Sequence, residues 1–183
     1  MQPISTSRLI LREWRDADRE PLAAITADPH TMRFFAAVRR AEQSDAWLTR
    51  VRVHFERHGF GIWAVEAPGV ADLIGFVGLS TVPEDLPTAP GIELVWTLGA
   101  AWWGRGYAPE AARAAAADGF ARLPAAEFVA FTAAVNAPSR RVMAKIGMRQ
   151  DTLGSFDHPR VTPGHVLRRH VLYRLARADY SER

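Results

Sequence analysis

Two short segments carry the residues with chemical potential. The first is Trp102-Trp103-Gly104-Arg105-Gly106-Tyr107-Ala108-Pro109-Glu110-Ala111, where two glycines one residue apart follow a strand-like run and precede an alanine-rich stretch. Glycine permits positive φ, so consecutive amide hydrogens can converge on one point, and a helix opening directly afterwards adds its own unpaired N-terminal donors. That pattern describes a cradle for a phosphate or pyrophosphate. Taken alone, a glycine pair at a strand-to-helix turn serves equally well to close the turn. The second segment, some thirty residues on, is Asn136-Ala137-Pro138-Ser139-Arg140-Arg141-Val142-Met143-Ala144-Lys145-Ile146-Gly147-Met148. Asparagine, proline and serine there suit a helix start as well as they suit a ligand.

The elements that must position these segments can be read from periodicity. Pro109 in a first turn, Glu110 beside it and the run Ala111 to Ala117 predict a helix closed by Arg122 and Pro124. Upstream, Ser5 to Arg12 alternates as a short strand, and Arg15-Asp16-Ala17-Asp18 offers caps for a helix carrying Leu22 and Ile25 that stops at Asp28-Pro29. Trp47, Leu48, Val51 and Phe55 recur at helical spacing between Glu42 and His58, with Gly59 as the stop. From Gly61 the period becomes two: Ile62 to Glu66, Leu73 to Ser80 and Ile92 to Leu98 read as an antiparallel meander joined at Ala67 to Asp72 and Val82 to Gly91. A strand at Glu127 to Ala133, a short helix from Pro138 to Ile146, a strand from Met148 and a last strand near Val166 to Leu175 complete the order β-α-α-β-β-β-α-β-α-β-β. One mixed, mostly antiparallel α/β sheet with helices on both faces is the expected fold.

At 183 residues and 48% hydrophobic composition, the whole chain 1–183 fits one domain. The formal charge is +3 and the isoelectric point about 9.9, because Lys145 is the only lysine among 23 basic residues. Twenty acidic residues are interspersed, with no basic run to serve as a nucleic-acid tail. The absence of cysteine removes disulfides, thiolate metal sites and a cysteine nucleophile. Met1 to Leu11 lacks the apolar run of a secretion signal, and no stretch of about 18 apolar residues occurs, so a soluble cytoplasmic protein is expected. His158, His165 and His170 have no metal-ligand spacing, and no metal is expected.

The order of elements, the Trp-Gly-Arg-Gly-Tyr-Ala turn and the segment from Asn136 to Met148 together resemble the GNAT superfamily of acyl-CoA-dependent N-acyltransferases. The chain looks most like the branch containing enzymes that acetylate the N-termini of ribosomal proteins. Further matches are Thr6-x-Arg8-Leu9-x-Leu11-Arg12, Ile92-Glu93-Leu94-Val95-Trp96 and Arg168-Arg169-His170-Val171-Leu172-Tyr173. The resemblance implies acetyl-CoA as acyl donor and an amine acceptor, with a homodimer left open. It places the pantetheine arm along Leu94, Val95, Trp96 and Thr97, and the pyrophosphate on amides of Trp103, Gly104, Arg105, Gly106, Tyr107 and Ala108. Asn136 then lies by the pantetheine. From their place on the short helix, Lys145, Arg140 and Arg141 could neutralise the phosphates, a solvated helix face being the alternative for each, and Arg140 is the one taken as a candidate. The family's usual Gln or Arg three residues before the first glycine is Ala101 here, which removes a side chain and leaves the backbone donors.

Direct transfer from a thioester needs a neutral amine, an oxyanion donor and a proton for the departing thiolate. Deprotonating a lysine amine at pH 7 costs roughly 4.6 kcal/mol, against about 1 for an α-amine, so an α-amine acceptor needs a far weaker base. Glu93 interrupts an apolar strand, shares a face with Val95 and Thr97 by alternation, and is the candidate base; the alternative is a glutamate paired with one of the many arginines. In the resembling branch the serine at position 139 is a proposed proton donor to sulfur, with Tyr173 and Tyr107 as second choices; Asn136 and Ser139 acting only as helix caps is the competing reading. The acceptor is a peptide N-terminus or a small amine. Two other classes remain: a CoA-binding module without turnover, which Ala101 favours, and a ribosome- or RNA-associating protein, which the high isoelectric point favours.

Overall fold

The structure is a computed structural model and describes residues 2–180. Its first departure from expectation comes at the start of the chain. The alternating stretch is a tight hairpin, β1 (Ile4–Ser5) and β2 (Ile10–Arg12), pairing Ile4 with Leu11. Thr6 reverses the chain: its hydroxyl accepts from the amides of Arg8 (3.3 Å) and Leu9 (2.9 Å), a local side-chain turn that outcompetes continued extension.

Helix α1 (Arg19–Ala27) stops at Asp28, which takes an extended conformation ahead of Pro29. Helix α2 (Ala41–His58) ends where Gly59 adopts φ of 71° and returns its amide to the Phe55 carbonyl. The meander follows as β3 (Ile62–Ala67), β4 (Ala71–Thr81) and β5 (Ile92–Leu98). β4 begins two residues before the predicted Leu73, because the turn needs only Pro68 to Val70, closed by the Val70 amide on the Ala67 carbonyl at 2.9 Å. Then come α3 (Tyr107–Arg122), β6 (Glu127–Ala133), α4 (Ala137–Lys145), β7 (Arg149–Asp157) and β8 (Arg169–Ala176). Val166, expected to open the last strand, lies instead in a turn and is largely exposed, with the His165 amide on the Thr162 carbonyl and the Arg168 amide on that of His165.

The strands form one eight-stranded sheet in the order β1-β2-β3-β4-β5-β6-β8-β7. Every pairing is antiparallel except β5 with β6, which run parallel and meet at a single registered pair, Glu93 opposite Val129. α1 and α2 cover one face, where Leu22, Leu48 and Val51 pack on Ala64, Leu73 and Phe76. α3 and α4 cover the other, where Ala111, Ala112, Ala115 and Ala116 sit against Val77, Leu79 and Leu94. The alanines make close approach possible. Gly119 completes it, since a Cβ there would stand 2.4 Å from a Leu79 methyl.

One ionic cluster is buried under the first strands. Arg12 forks onto Asp18 (2.8 and 2.9 Å), donates to Glu66 (2.7 Å) and reaches the Asp72 carbonyl (2.6 Å). Asp18, expected to cap α1, is therefore the buried counter-ion of Arg12 and also accepts from the Arg15 amide at 2.7 Å. No helix among the described residues is long and apolar enough to cross a membrane, and no group of three or more metal-ligating side chains is present among them.

Candidate active site

The glycine turn is built as an anion nest. Gly104 and Gly106 have φ of 77° and 80°, on either side of Arg105, and Gly106 is the residue from which α3 starts. Among the described residues, the amides of Gly104, Arg105, Gly106, Tyr107 and Ala108 find no internal acceptor; the first helical bond of α3 runs from the Glu110 amide to the Gly106 carbonyl. Trp103 departs from the expected set, because its amide is spent on the Ala100 carbonyl at 3.2 Å in the short 3₁₀ turn over residues 100–102. Its indole instead donates to the Leu98 carbonyl at 2.8 Å.

Sequence reasoning missed what holds this turn. Arg8 places Nη1 on the Arg105 carbonyl at 2.9 Å while Nε and Nη2 fork onto Glu110 at 2.7 and 2.5 Å. A trans peptide points its carbonyl and the following N–H in opposite directions, so fixing the Arg105 carbonyl toward Arg8 aims the Gly106 amide away from it. Glu110 also accepts from the hydroxyls of Thr6 (2.6 Å) and Ser7 (3.1 Å), which ties the first hairpin to the head of α3. The signal available in the sequence was the Thr6-x-Arg8 pattern, whose partner lies about a hundred residues away.

Beyond the Glu93 rung, β5 and β6 diverge, and a cavity of about 890 Å³ opens between them. It is lined by Glu93 to Leu98 of β5, by Ala130 to Thr132 of β6, by the nest residues Gly104, Gly106, Tyr107 and Ala108, and by Asn136, Ser139, Arg141 and Lys145 of the α4 region. Arg105 stays outside, its guanidinium 5.3 Å from the centre of the Trp102 ring. Cross-strand pairing sets the orientation of β5: Glu93, Val95 and Thr97 lie opposite Ser80, Gly78 and Phe76, on the face toward α2.

Glu93 has no hydrogen-bond or ion-pair partner among the described residues, so the arginine-paired alternative does not describe it. Its side chain keeps partial exposure at the cavity while protein surrounds it otherwise, and this desolvation pushes its carboxyl from 4.5 up to about 8. In the same cavity lining, His54 on α2 donates from Nδ1 to the Phe60 carbonyl (3.0 Å), and its Nε2 accepts from the Thr81 amide (3.2 Å). Burial, with the charge of neighbouring His58 adding to it, holds the His54 pKa below its ordinary value against the Phe60 hydrogen bond, which acts the other way.

Asn136 caps α4, its Oδ1 accepting from the Ser139 amide at 3.2 Å, while its Nδ2 donates to the Thr132 hydroxyl at 2.9 Å. Capping and cavity lining coexist in this residue. The Ser139 hydroxyl has no partner among the described residues and faces the cavity. Two of the expected site residues lie away from the cavity lining. Tyr173 is buried in the core and does not line the cavity; its hydroxyl donates to Gln150 at 3.2 Å, because β8 lies beside β6 on the side away from β5 and its side chain belongs to the core under α3 and α4. Arg140 is turned to the same side, with Nε on the Tyr173 hydroxyl (3.5 Å) and Nη1 on the Ala134 carbonyl (3.3 Å), whereas Arg141 and Lys145 line the cavity. Tyr107 is buried and lines the cavity with Arg8 stacked 4.9 Å from its ring centre.

Unspent amides in a positive-φ nest, two cations across the same opening and a strand whose polar edge faces that opening fit a diphosphate joined to an extended amide arm. Gly104, Arg105, Gly106, Tyr107 and Ala108 would hold the diphosphate, and β5 the arm. A split mixed sheet with such a nest at its mouth is the arrangement of an acyl-CoA-dependent acyltransferase. The family model described as an acetyltransferase (GNAT) domain matches residues 8–149, and the chain belongs to that family. It is 28% identical to the uncharacterized protein YkkB of Bacillus subtilis, over 78% of this chain and 83% of that one. It is also 28% identical to the FsC-acetyl coenzyme A-N(2)-transacetylase of Aspergillus fumigatus, over 97% of this chain and 77% of that one. Among solved structures, a ribosomal L7/L12 alpha-N-protein acetyltransferase in complex with coenzyme A superposes with a TM-score of 0.77 over 96% of this chain and 98% of its own, at 13% identity. The protein is an N-acetyltransferase that uses acetyl-CoA.

Proposed function

We propose that the chain acetylates a weakly basic primary amine, such as the α-amine of a peptide N-terminus or of a small molecule, by direct attack in a ternary complex. The observation that carries this reading is Glu93: a carboxyl with no partner among the described residues, at the point where β5 and β6 part, with a pKa pushed up to about 8. A base of that strength matches an amine of pKa about 7.8 and falls short of a lysine at about 10.4. The acetyl thioester supplies an activated carbonyl. Glu93 accepts the proton that the amine loses on forming its bond to the acetyl carbon, directly or through one water. The Ser139 hydroxyl supplies a proton to the sulfur as the carbon–sulfur bond breaks, and solvent returns that proton from Glu93 to Ser139. With no cysteine in the chain, a covalent thiol stage has no residue to use. The names of similar proteins include both an FsC-acetyl coenzyme A-N(2)-transacetylase and, among structural neighbours, a ribosomal L7/L12 alpha-N-protein acetyltransferase, which supports an amine acceptor without choosing between them.

The test is free-thiol release on a panel of amines, with each substrate omitted in turn. Release that requires both substrates is expected. Acetyl found covalently on Ser139 after incubation with acetyl-CoA alone would overturn the direct route, and coenzyme A binding without thiol release across the panel would favour the non-catalytic module.

A further inference from the structure

The cavity extends past Glu93 beneath α2, and there the charge balance is lopsided. Glu93 is its one acidic lining residue among those described, against Arg39, Arg50, Arg141, Lys145 and Arg160. Arg141 and Lys145 belong to the α4 side, and Arg160 is neutralised by Asp85 at 2.6 Å. Arg39 and Arg50 are not neutralised. Neither has a carboxylate or any other hydrogen-bond partner for its side chain among the described residues, and Arg39 Nη1 is fully buried without one. Arg39 instead lies over the Trp47 ring, its guanidinium carbon 5.1 Å from the ring centre. Other arginines of the chain do meet carboxylates, Arg12 with Asp18, Arg52 with Asp16 and Arg174 with Asp151 among them.

We propose that Arg39 and Arg50, over Trp47, form a subsite for an anionic group carried by the acceptor, so that the substrate is a primary amine bearing a carboxylate or phosphate. The inference rests on the acetyl-transfer reading above and names its substrate class. Trp47, Arg50 and His54 share one face of α2, three and four residues apart. His54 meets the Thr81 amide, beside the Ser80 that pairs with Glu93, so Arg50 stands one helical turn, about 5.4 Å, along α2 from that contact. Amine at Glu93 and anion at Arg50 therefore fit within one small molecule or one acidic chain terminus. Each guanidinium lies within the other's field: burial, with proximity to Arg50 added, depresses the Arg39 pKa. Two like charges left without a counter-ion are relieved by an anion entering between them. The buried Nη1 leaves Arg39 to anchor the cationic side of the subsite beside the Trp47 ring, with the exposed Arg50 as the group an entering anion meets first. Polyamines, which would bring positive charge to the same place, are disfavoured acceptors.

The experiment measures thiol release at saturating acetyl-CoA for α- and ω-amino acids, their carboxamides, O-phosphoethanolamine and spermidine. A charged hydrogen bond of this kind corresponds to about 10- to 100-fold in binding, so at least one acid or phosphate is expected to exceed its neutral counterpart by about tenfold in kcat/KM. The carboxylate and phosphate arms then say which anion is used. Arg50→Ala, at an exposed position where folding is not at stake, is expected to raise the KM for that acceptor about tenfold and to bring the charged-to-neutral ratio close to one; Arg39→Gln is expected to do the same. No advantage for any charged acceptor, a preference for spermidine, or a rise in the KM for acetyl-CoA equal to that for the acceptor would overturn the subsite. If neutral amines still release thiol in a Glu93-dependent way, acetyl transfer stands and only the subsite falls; if no amine releases thiol, both fall.

Discussion

Glu93→Gln separates the stability cost of this residue from its chemistry, because the two are expected to move in opposite directions. In the unfolded chain the carboxyl ionises near 4.5, whereas in the fold burial raises it to about 8. Between those values the native state holds a proton that the unfolded state has released, so stability falls as pH rises from about 4.5 to 8 and is flat below and above. A tenfold change in proton affinity is worth about 1.4 kcal/mol, which sets an upper limit of about 5 kcal/mol on the loss; residual contact with cavity water reduces it. Glutamine carries no such penalty. Urea unfolding of the two proteins should therefore coincide near pH 4.5 and diverge by up to several kcal/mol at pH 8, with Glu93→Gln the more stable. In the same variant kcat/KM should fall about 10²-fold or more. Its pH profile should also change shape: with an α-amine acceptor, two deprotonations give the native enzyme a limiting slope of two below pH 7, and the variant a slope of one. An unchanged rate, or a stability difference independent of pH, would refute the assignment of Glu93 as a desolvated base.

Three further perturbations bear on other parts of the molecule. Gly106→Ala places a Cβ on a backbone with φ of 80°, at a conformational cost of about 1–2 kcal/mol, and should weaken coenzyme A binding in calorimetry about tenfold. Arg8→Ala releases both the Arg105 carbonyl and Glu110, and should raise the KM for acetyl-CoA about tenfold, an effect checked by initial-rate kinetics. Asp18→Ala leaves the Arg12 guanidinium buried with only Glu66 as a charged partner and should destabilise the fold by about 3–5 kcal/mol, read by chemical denaturation.

Where local chemistry dictates local structure, the elements could be read directly: Gly59 stops α2, β6 spans Glu127–Ala133 as expected, and the glycine pair forms a nest. The hairpin at Thr6 was missed because a side-chain turn can hide inside an alternating run. Site residues followed the same division. Glu93 and Ser139 are carried by elements whose faces the periodicity sets, and both line the cavity. Tyr173 and Arg140 do not, since which of two packed layers a β8 or α4 side chain enters depends on the strand order β6-β8-β7, which no local signal encodes. The hydrogen-bond partners of Arg8, and the lack of any for Arg39 and Arg50 among the described residues, were not legible for a related reason. In a chain with 23 basic residues an arginine's meaning lies in whether a carboxylate meets it, and that is decided between distant segments.

The single rung between β5 and β6 makes the sheet two blades, β1 to β5 and β6 to β8, hinged at Glu93 and Val129. A donor molecule lying in the notch would bridge blades that the polypeptide itself scarcely stitches together. Loading should therefore stiffen strands it never touches: amide hydrogen exchange should slow along β4 and β8 as well as along the notch, and the melting temperature should rise with ligand concentration. Substrate capture and mechanical completion of the scaffold are, in this molecule, one event.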